Sequence, residues 1–305
     1  MRIGKHEVPY PLIQGGMAVR VSGYRLAGNV ARCGGIGLVA SAGIGINTPR
    51  FKGDNYFAAE PLALKDELAK AYEIAPDGVI GTNCMVAVTD YAELVKASCE
   101  GGAKLIVSGA GLPMNLPELT VDWPDVALVP IVSSIKAAEL ITRKWHKSYN
   151  RLPDAVVVED PDTAGGHLGE KLEKIGTGEY DQYATVRGVK AYLRNTWQLD
   201  VPVIAAGGVW DRTDFEYALA QGADGVQMGT RFVMSEECLA HPKFKERFAA
   251  ARAREAVSTP AFDRDMCMQF AIGSVGRMLG PEFDVIDTYP VRVRLPDEPL
   301  MLVDR

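Results

Sequence analysis

Short apolar runs recur along the chain, each closed by glycine or a polar turn and followed by residues at helical spacing. Eight of them predict strands, at residues 11–14, 36–40, 79–83, 104–108, 127–132, 155–159, 201–206 and 224–228. Most are apolar throughout rather than alternating, as expected of strands buried on both faces of a parallel sheet. The stretches between them carry amphipathic helices. Residues 181–197, for example, place Tyr183, Val186, Val189, Leu193 and Trp197 on one face. The seventh unit is the most clearly punctuated. Asp211 is a helix N-cap with Asp214 three residues on, Trp210 and Phe215 occupy the positions of a hydrophobic staple, and Gly222 ends the helix.

Strand–helix alternation on this scale predicts a parallel α/β fold, and eight units favour a closed (β/α)8 TIM barrel over an open doubly wound sheet. Such a barrel takes about 250 residues. The 305-residue chain leaves a surplus, mostly in residues 235–290, where His241, Pro242 and Pro260 interrupt helical patterns. Residues 1–234 are therefore read as the barrel core. Residues 235–305 are read as an appended helical subregion and tail, an extra helical segment after strand eight that packs on the barrel.

Composition narrows the function classes. An apolar share of 47% and a charged share of 24% are those of a globular protein, and a net charge of −6 offers no basic footprint for nucleic acid. No apolar stretch is long enough to span a membrane and the N-terminal residues lack a signal-peptide core, so a cytoplasmic protein is expected. The cysteines are Cys33, Cys84, Cys99, Cys238 and Cys267. Their odd number and spacing suggest neither a disulfide framework nor a metal site. Cys84 and Cys99 read as packed thiols, and Cys267 is the one least easily dismissed as such.

In a barrel the chemistry sits at the C-terminal ends of the strands. Five of the eight loops there carry closely spaced glycines: QGGMA, ASAGIG, SGAGLPM, TAGGHLG and AGGVW. Any one alone is equally an ordinary turn; together they describe a mouth whose backbone lies close to a large flat ligand. The turns after strands seven and eight frequently form a phosphate site from backbone N–H groups. Gly207 and Gly208 would leave room for a phosphate on one side, with Gly229 and Thr230 donating on the other. No Rossmann fingerprint is present. A phosphate-bearing ligand across the mouth points to flavin mononucleotide, FMN.

The ordered set AGGHLG, PVIAAGGV and GADGVQMGTRF, within a match running from PLIQGGMA to GVQMGTRF, resembles the nitronate monooxygenase family of flavin barrels. That family was formerly called 2-nitropropane dioxygenases and is related to the FMN-dependent enoyl-ACP reductases. The resemblance implies a flavin-dependent oxidoreductase holding FMN. Gly16, Met17 and Ala18 would lie against the isoalloxazine, and Asn83 would hydrogen-bond it. Gly165 and Gly166 would admit the flavin. Gly207, Gly208, Gln227, Met228, Gly229 and Thr230 would form the phosphate segments, and His167 would face the ring as the catalytic residue. The family usually has proline where Gly16 stands, and many members carry glutamate at the position of Thr163.

Read without the resemblance, His167 between glycines at a strand end is as readily structural as functional, and Asn83 is an ordinary turn residue. His6, His146 and His241 read as surface residues. Glu159, Asp160 and Asp162 read as helix caps or ion-pair partners, and Arg231 pairs as readily with a carboxylate as with a ligand. The activity implied is oxidation of alkyl nitronates by molecular oxygen to a carbonyl compound and nitrite, and nitroalkanes are further substrates if His167 removes their α-proton. Other readings stay open. They are an NAD(P)H-dependent FMN reductase of an enoyl thioester or quinone, an FMN-binding subunit or sensor with little turnover, and a phosphate-sugar isomerase on the same barrel. The expected partners are a small-molecule substrate and oxygen, with no nucleic acid, membrane or metal. A homo-oligomer is compatible with the reading.

Overall fold

A computed structural model describes residues 1–46, 48, 56–164 and 177–250, together with the short segments 292–293 and 301–302. The chain begins with a small hairpin that the apolar pattern does not announce. β1 (Arg2–Ile3) pairs antiparallel with β2 (His6–Glu7), turning at Gly4 with φ +56°. Ile3 and Val8 enter the same buried cluster as Leu105, Val129, Val157 and Ile204. A Cβ at Gly4 would lie 3.2 Å from Ala127, at the start of a barrel strand, so the hairpin plugs the N-terminal end of the barrel.

Eight parallel strands then alternate with helices. They are β3 (Leu12–Gln14), α1 (Tyr24–Arg32), β4 (Ile36–Ala40), α2 (Tyr56–Ile74), β5 (Val79–Met85), α3 (Tyr91–Glu100), β6 (Leu105–Gly109), α4 (Leu116–Leu119) and β7 (Ala127–Val132). The series continues with α5 (Ile135–Tyr149), β8 (Val156–Glu159), α6 (Gln182–Trp197), β9 (Val203–Ala206), α7 (Arg212–Ala220), β10 (Gly225–Met228), α8 (Thr230–Val233) and α9 (Pro242–Ala250). β10 pairs with both β9 and β3, at Gln227↔Ala206 and Gln227↔Ile13, which closes the barrel. The fold is the expected (β/α)8 barrel.

Alternation along the strands separates two apolar layers. Leu38, Leu105, Val107, Val129, Val157 and Ile204 fill the interior. Val39, Ile106, Leu128, Val156, Val158 and Val203 face outward, against Leu68, Leu94, Ile141, Trp145, Val189 and Leu193 of the helices. Each such side chain taken from water contributes about 1.5–3 kcal/mol, which is why these strands are apolar on both faces. α1 sits directly on β4. A Cβ at Gly37 would fall 1.9 Å from the Ala27 carbonyl oxygen, so only glycine lets the helix seat there. α9 lies in the region expected to carry extra helices; Cys267 and Pro260 lie outside the described residues.

Candidate active site

The first mouth loop is folded around a buried polar pair. β3 ends on Gln14, which is fully buried. Its Oε1 accepts from the Leu38 N–H (3.1 Å), and its Nε2 donates to Ser22 Oγ (2.9 Å) and to the Gly15 carbonyl. Ser22 Oγ in turn accepts from the Met17 N–H (2.9 Å), and the Gly15 N–H donates to the Met228 carbonyl (2.8 Å). Residues 15–22 are thus tied at both ends. Between them Val19 and Arg20 hold left-handed φ values of 54° and 61°. A β-branched residue adopts that conformation only where its surroundings impose it. Here the Val19 N–H donates to Ala42 (2.9 Å), and the Arg20 guanidinium reaches the Ile46 carbonyl (3.3 Å) and Glu67 (3.5 Å).

Around this loop the structure gathers residues far apart in sequence. Asn83 points inward from β5, and a Cβ at Gly16 would lie 2.2 Å from the Asn83 Cβ. The first loop therefore lies flat on Asn83 because it has no side chain there. A Cβ at Gly15 would be 3.2 Å from Gln227 Cγ, and one at Gly229 would be 3.7 Å from Met17 Sδ. Gly15, Gly16, Met17, Asn83, Gln227 and Gly229 thus form one surface at the C-terminal end of the barrel. Ala18 packs half-buried beside it. Gln227 Oε1 is buried and accepts no hydrogen bond among the described residues. Leaving such an oxygen unmet costs about 1–3 kcal/mol, so it suits a ligand that brings an N–H donor.

The turn after β9 has the left-handed geometry its glycines allow. Gly207 and Gly208 hold φ +103° and +69°, and a Cβ at Gly207 would lie 2.8 Å from Thr163 Oγ1. Asp160 braces the facing loop. Its carboxylate accepts from the Asp162 N–H (2.9 Å) and the Thr163 hydroxyl (2.7 Å), and its own N–H donates to the Ala206 carbonyl (2.9 Å). Gln182 Nε2 donates to the same carbonyl (2.7 Å). Asp211 and Asp214 form a capping box at the start of α7, as their spacing predicts. Across the barrel seam, Gly229 precedes the short α8, which begins at Thr230.

Gly165, Gly166 and His167 lie outside the described residues. Of the three acids Glu159, Asp160 and Asp162, the Asp160 carboxylate braces its own loop by accepting from Asp162 and Thr163, as expected of a structural acid. His146 and His241 are exposed, whereas His6 is a correction: its Nε2 is buried, and burial at the foot of the barrel holds its imidazole below the usual range. Trp210, just before the α7 cap, is 43% exposed with the Arg231 guanidinium 5.0 Å over its ring. Burial pushes the Cys84 thiol up and the Cys99 thiol to about 12, so both are packed thiols rather than nucleophiles. Burial also raises Tyr180 to about 12; its hydroxyl donates to the Glu159 carbonyl (3.4 Å). The sequence reading missed Gln14 and Ser22. Their one signal was a polar residue closing an apolar run just before a glycine pair.

A family model described as nitronate monooxygenase matches residues 1–269. The chain belongs to the nitronate monooxygenase family. A relative described as "(3aS,4S,5R,7aS)-5-hydroxy-7a-methyl-1-oxo-octahydro-1H-indene-4-carboxyl-CoA dehydrogenase", from Mycobacterium tuberculosis, is 26% identical over 84% of this chain and 61% of its own length. A counterpart in Rhodococcus jostii is 27% identical over 80% of this chain and 57% of its own. The chain therefore spans about three-fifths of the length of these relatives. A Bacillus subtilis protein described as "Probable nitronate monooxygenase" is 35% identical over 35% of this chain and 29% of its own. Among solved structures, FabK from Thermotoga maritima superposes with TM-score 0.62 at 28% identity, covering 83% of this chain and 68% of that one. Among the described residues no helix is long and apolar enough to cross a membrane.

Proposed function

We propose that this chain binds FMN across the barrel mouth and oxidises alkyl nitronates with molecular oxygen, releasing a carbonyl compound and nitrite. The observation that carries the cofactor half is the surface built by Gly15, Gly16, Asn83 and Gln227, with a buried amide oxygen awaiting a donor. The residues fit the group. An isoalloxazine is flat and carries an imide N–H, which Gln227 Oε1 would accept while Gly16 leaves the ring room. Gly207, Gly208, Gly229 and Thr230 would hold the phosphate through backbone N–H groups. Bound FMN would supply the electron acceptor between substrate and oxygen.

Within the same proposal, His167 is the catalytic residue. It donates a hydrogen bond to the nitro group of a bound nitronate, or as the neutral base removes the α-proton of a nitroalkane. The substrate and oxygen are its partners, and the enzyme works in the cytoplasm. His167→Ala should retain the flavin spectrum and lose activity unequally. General-base loss costs about 3–5 kcal/mol on a nitroalkane, against nearer 1 kcal/mol for one hydrogen bond on a preformed nitronate. Comparing kcat/KM for nitroethane and ethylnitronate in parent and variant checks this. Equal losses would leave His167 a positioning role only.

A second reading is favoured by relatives matched over 80% or more of the chain, which are described as carboxyl-CoA dehydrogenases. On that reading the same FMN frame oxidises or reduces a thioester substrate. Rapid bleaching of the flavin by NAD(P)H without oxygen, together with no turnover of ethylnitronate, would select it.

A further inference from the structure

We infer that Arg231, held in place by Trp210, is a direct ligand of the flavin phosphate; the inference rests on the FMN reading above. The two residues flank the glycine turns. Trp210 follows Gly208 by two positions and Arg231 directly follows Thr230. The guanidinium lies 5.0 Å from the centre of the indole, so a contact joins the segments that follow the β9 and β10 turns. The Trp210 backbone is fixed just before α7, where its main-chain N–H donates to Asp214 Oδ2 (2.9 Å). The intervening Val209 is buried, which anchors the turn on its inner side.

Arg231 forms no ion pair among the described residues. The two carboxylates nearest in sequence to Trp210, those of Asp211 and Asp214, are spent on their capping box. A guanidinium held over an aromatic face by cation–π attraction keeps N–H donors for other partners. Those donors match a phosphate dianion, which accepts two of them side by side. The aromatic contact also restricts the arginine before the ligand arrives, so less freedom is lost on binding. The backbone cradle of Gly207, Gly208 and Gly229 thereby gains a cation set beside it. Arg231 is the ligand, and Trp210 is a positioning residue acting through it.

Riboflavin has the same ring and lacks the phosphate, which makes it the control. The holoprotein is stripped of flavin, and FMN and riboflavin are titrated separately by fluorescence quenching. The proteins compared are the parent, Arg231→Ala, Arg231→Lys, Trp210→Ala and Trp210→Phe. We expect Arg231→Ala to weaken FMN about tenfold to a hundredfold, the loss of one charge-assisted contact, with riboflavin unchanged. Arg231→Lys should recover part of that loss, Trp210→Phe should keep the parental preference, and Trp210→Ala should fall between. An Arg231→Ala variant that loses both flavins equally, or neither, overturns the inference while a parental preference for FMN leaves the cofactor reading standing. A parent that binds FMN no more tightly than riboflavin overturns both.

Discussion

Glycine at the mouth does two different jobs, and separate substitutions distinguish them. At Gly16 it allows close approach, since a Cβ would meet Asn83 at 2.2 Å. At Gly208 it permits φ +69°, where a side chain is strained and would also press on Thr163 Oγ1 at 3.2 Å. Gly208→Leu should weaken FMN by an order of magnitude or more by crowding the phosphate turn. Gly102→Leu is the matched control. It has φ +81° and little nearby, but it precedes β6 at the opposite end of the barrel. It should carry the strain of about 1–2 kcal/mol without loss of FMN. Equal FMN loss in both variants would refute the phosphate assignment. Asp90 is a different case, a carboxyl that burial pushes above the usual carboxylate range, with Oδ2 buried and unpaired among the described residues. A folded-state value raised above the unfolded one adds stability at low pH that is lost as pH rises through it. Asp90→Asn should therefore raise the melting temperature at pH 8 more than at pH 4. A larger gain at pH 4 would contradict the assigned cause.

At the level of elements, the eight strands are legible because burial on both faces writes continuous apolar runs between glycine and polar turns. Their edges shift for local reasons. Pro11 precedes the β3 ladder and contributes only its carbonyl, which accepts from the Val226 N–H (2.9 Å). Asp224 meets Val203 twice: its backbone N–H donates to the Val203 carbonyl (2.9 Å) and its carboxylate accepts from the Val203 N–H (2.9 Å) while pairing with Lys190 (2.7 Å). The β1–β2 hairpin is not legible. Two-residue strands carry no period, and Ile3 and Val8 are buried only because the barrel end needs filling. The glycine turns of the site stand out for the same reason the strands do. Gln14 and Ser22 do not, because their role depends on a contact between loop and strand. The seat of α1 gives a direct test of this packing. Gly37→Ala would drive a Cβ into the Ala27 carbonyl, which as backbone cannot step aside. A loss of about 3 kcal/mol or more in urea unfolding is expected. An unchanged midpoint would show that α1 is not held there.

For the whole molecule, one end of the barrel is closed by the hairpin and the other is opened by glycine loops onto Asn83 and Gln227. That asymmetry separates stability from chemistry, as barrels of this architecture do. It also concentrates the account in a single claim, that the open end holds FMN. The direct measurement is to record the spectrum of the purified protein, denature it, and identify the chromophore released. The account predicts a yellow protein that yields noncovalent FMN. Release of FAD, or no flavin bound even after reconstitution with FMN, would contradict it.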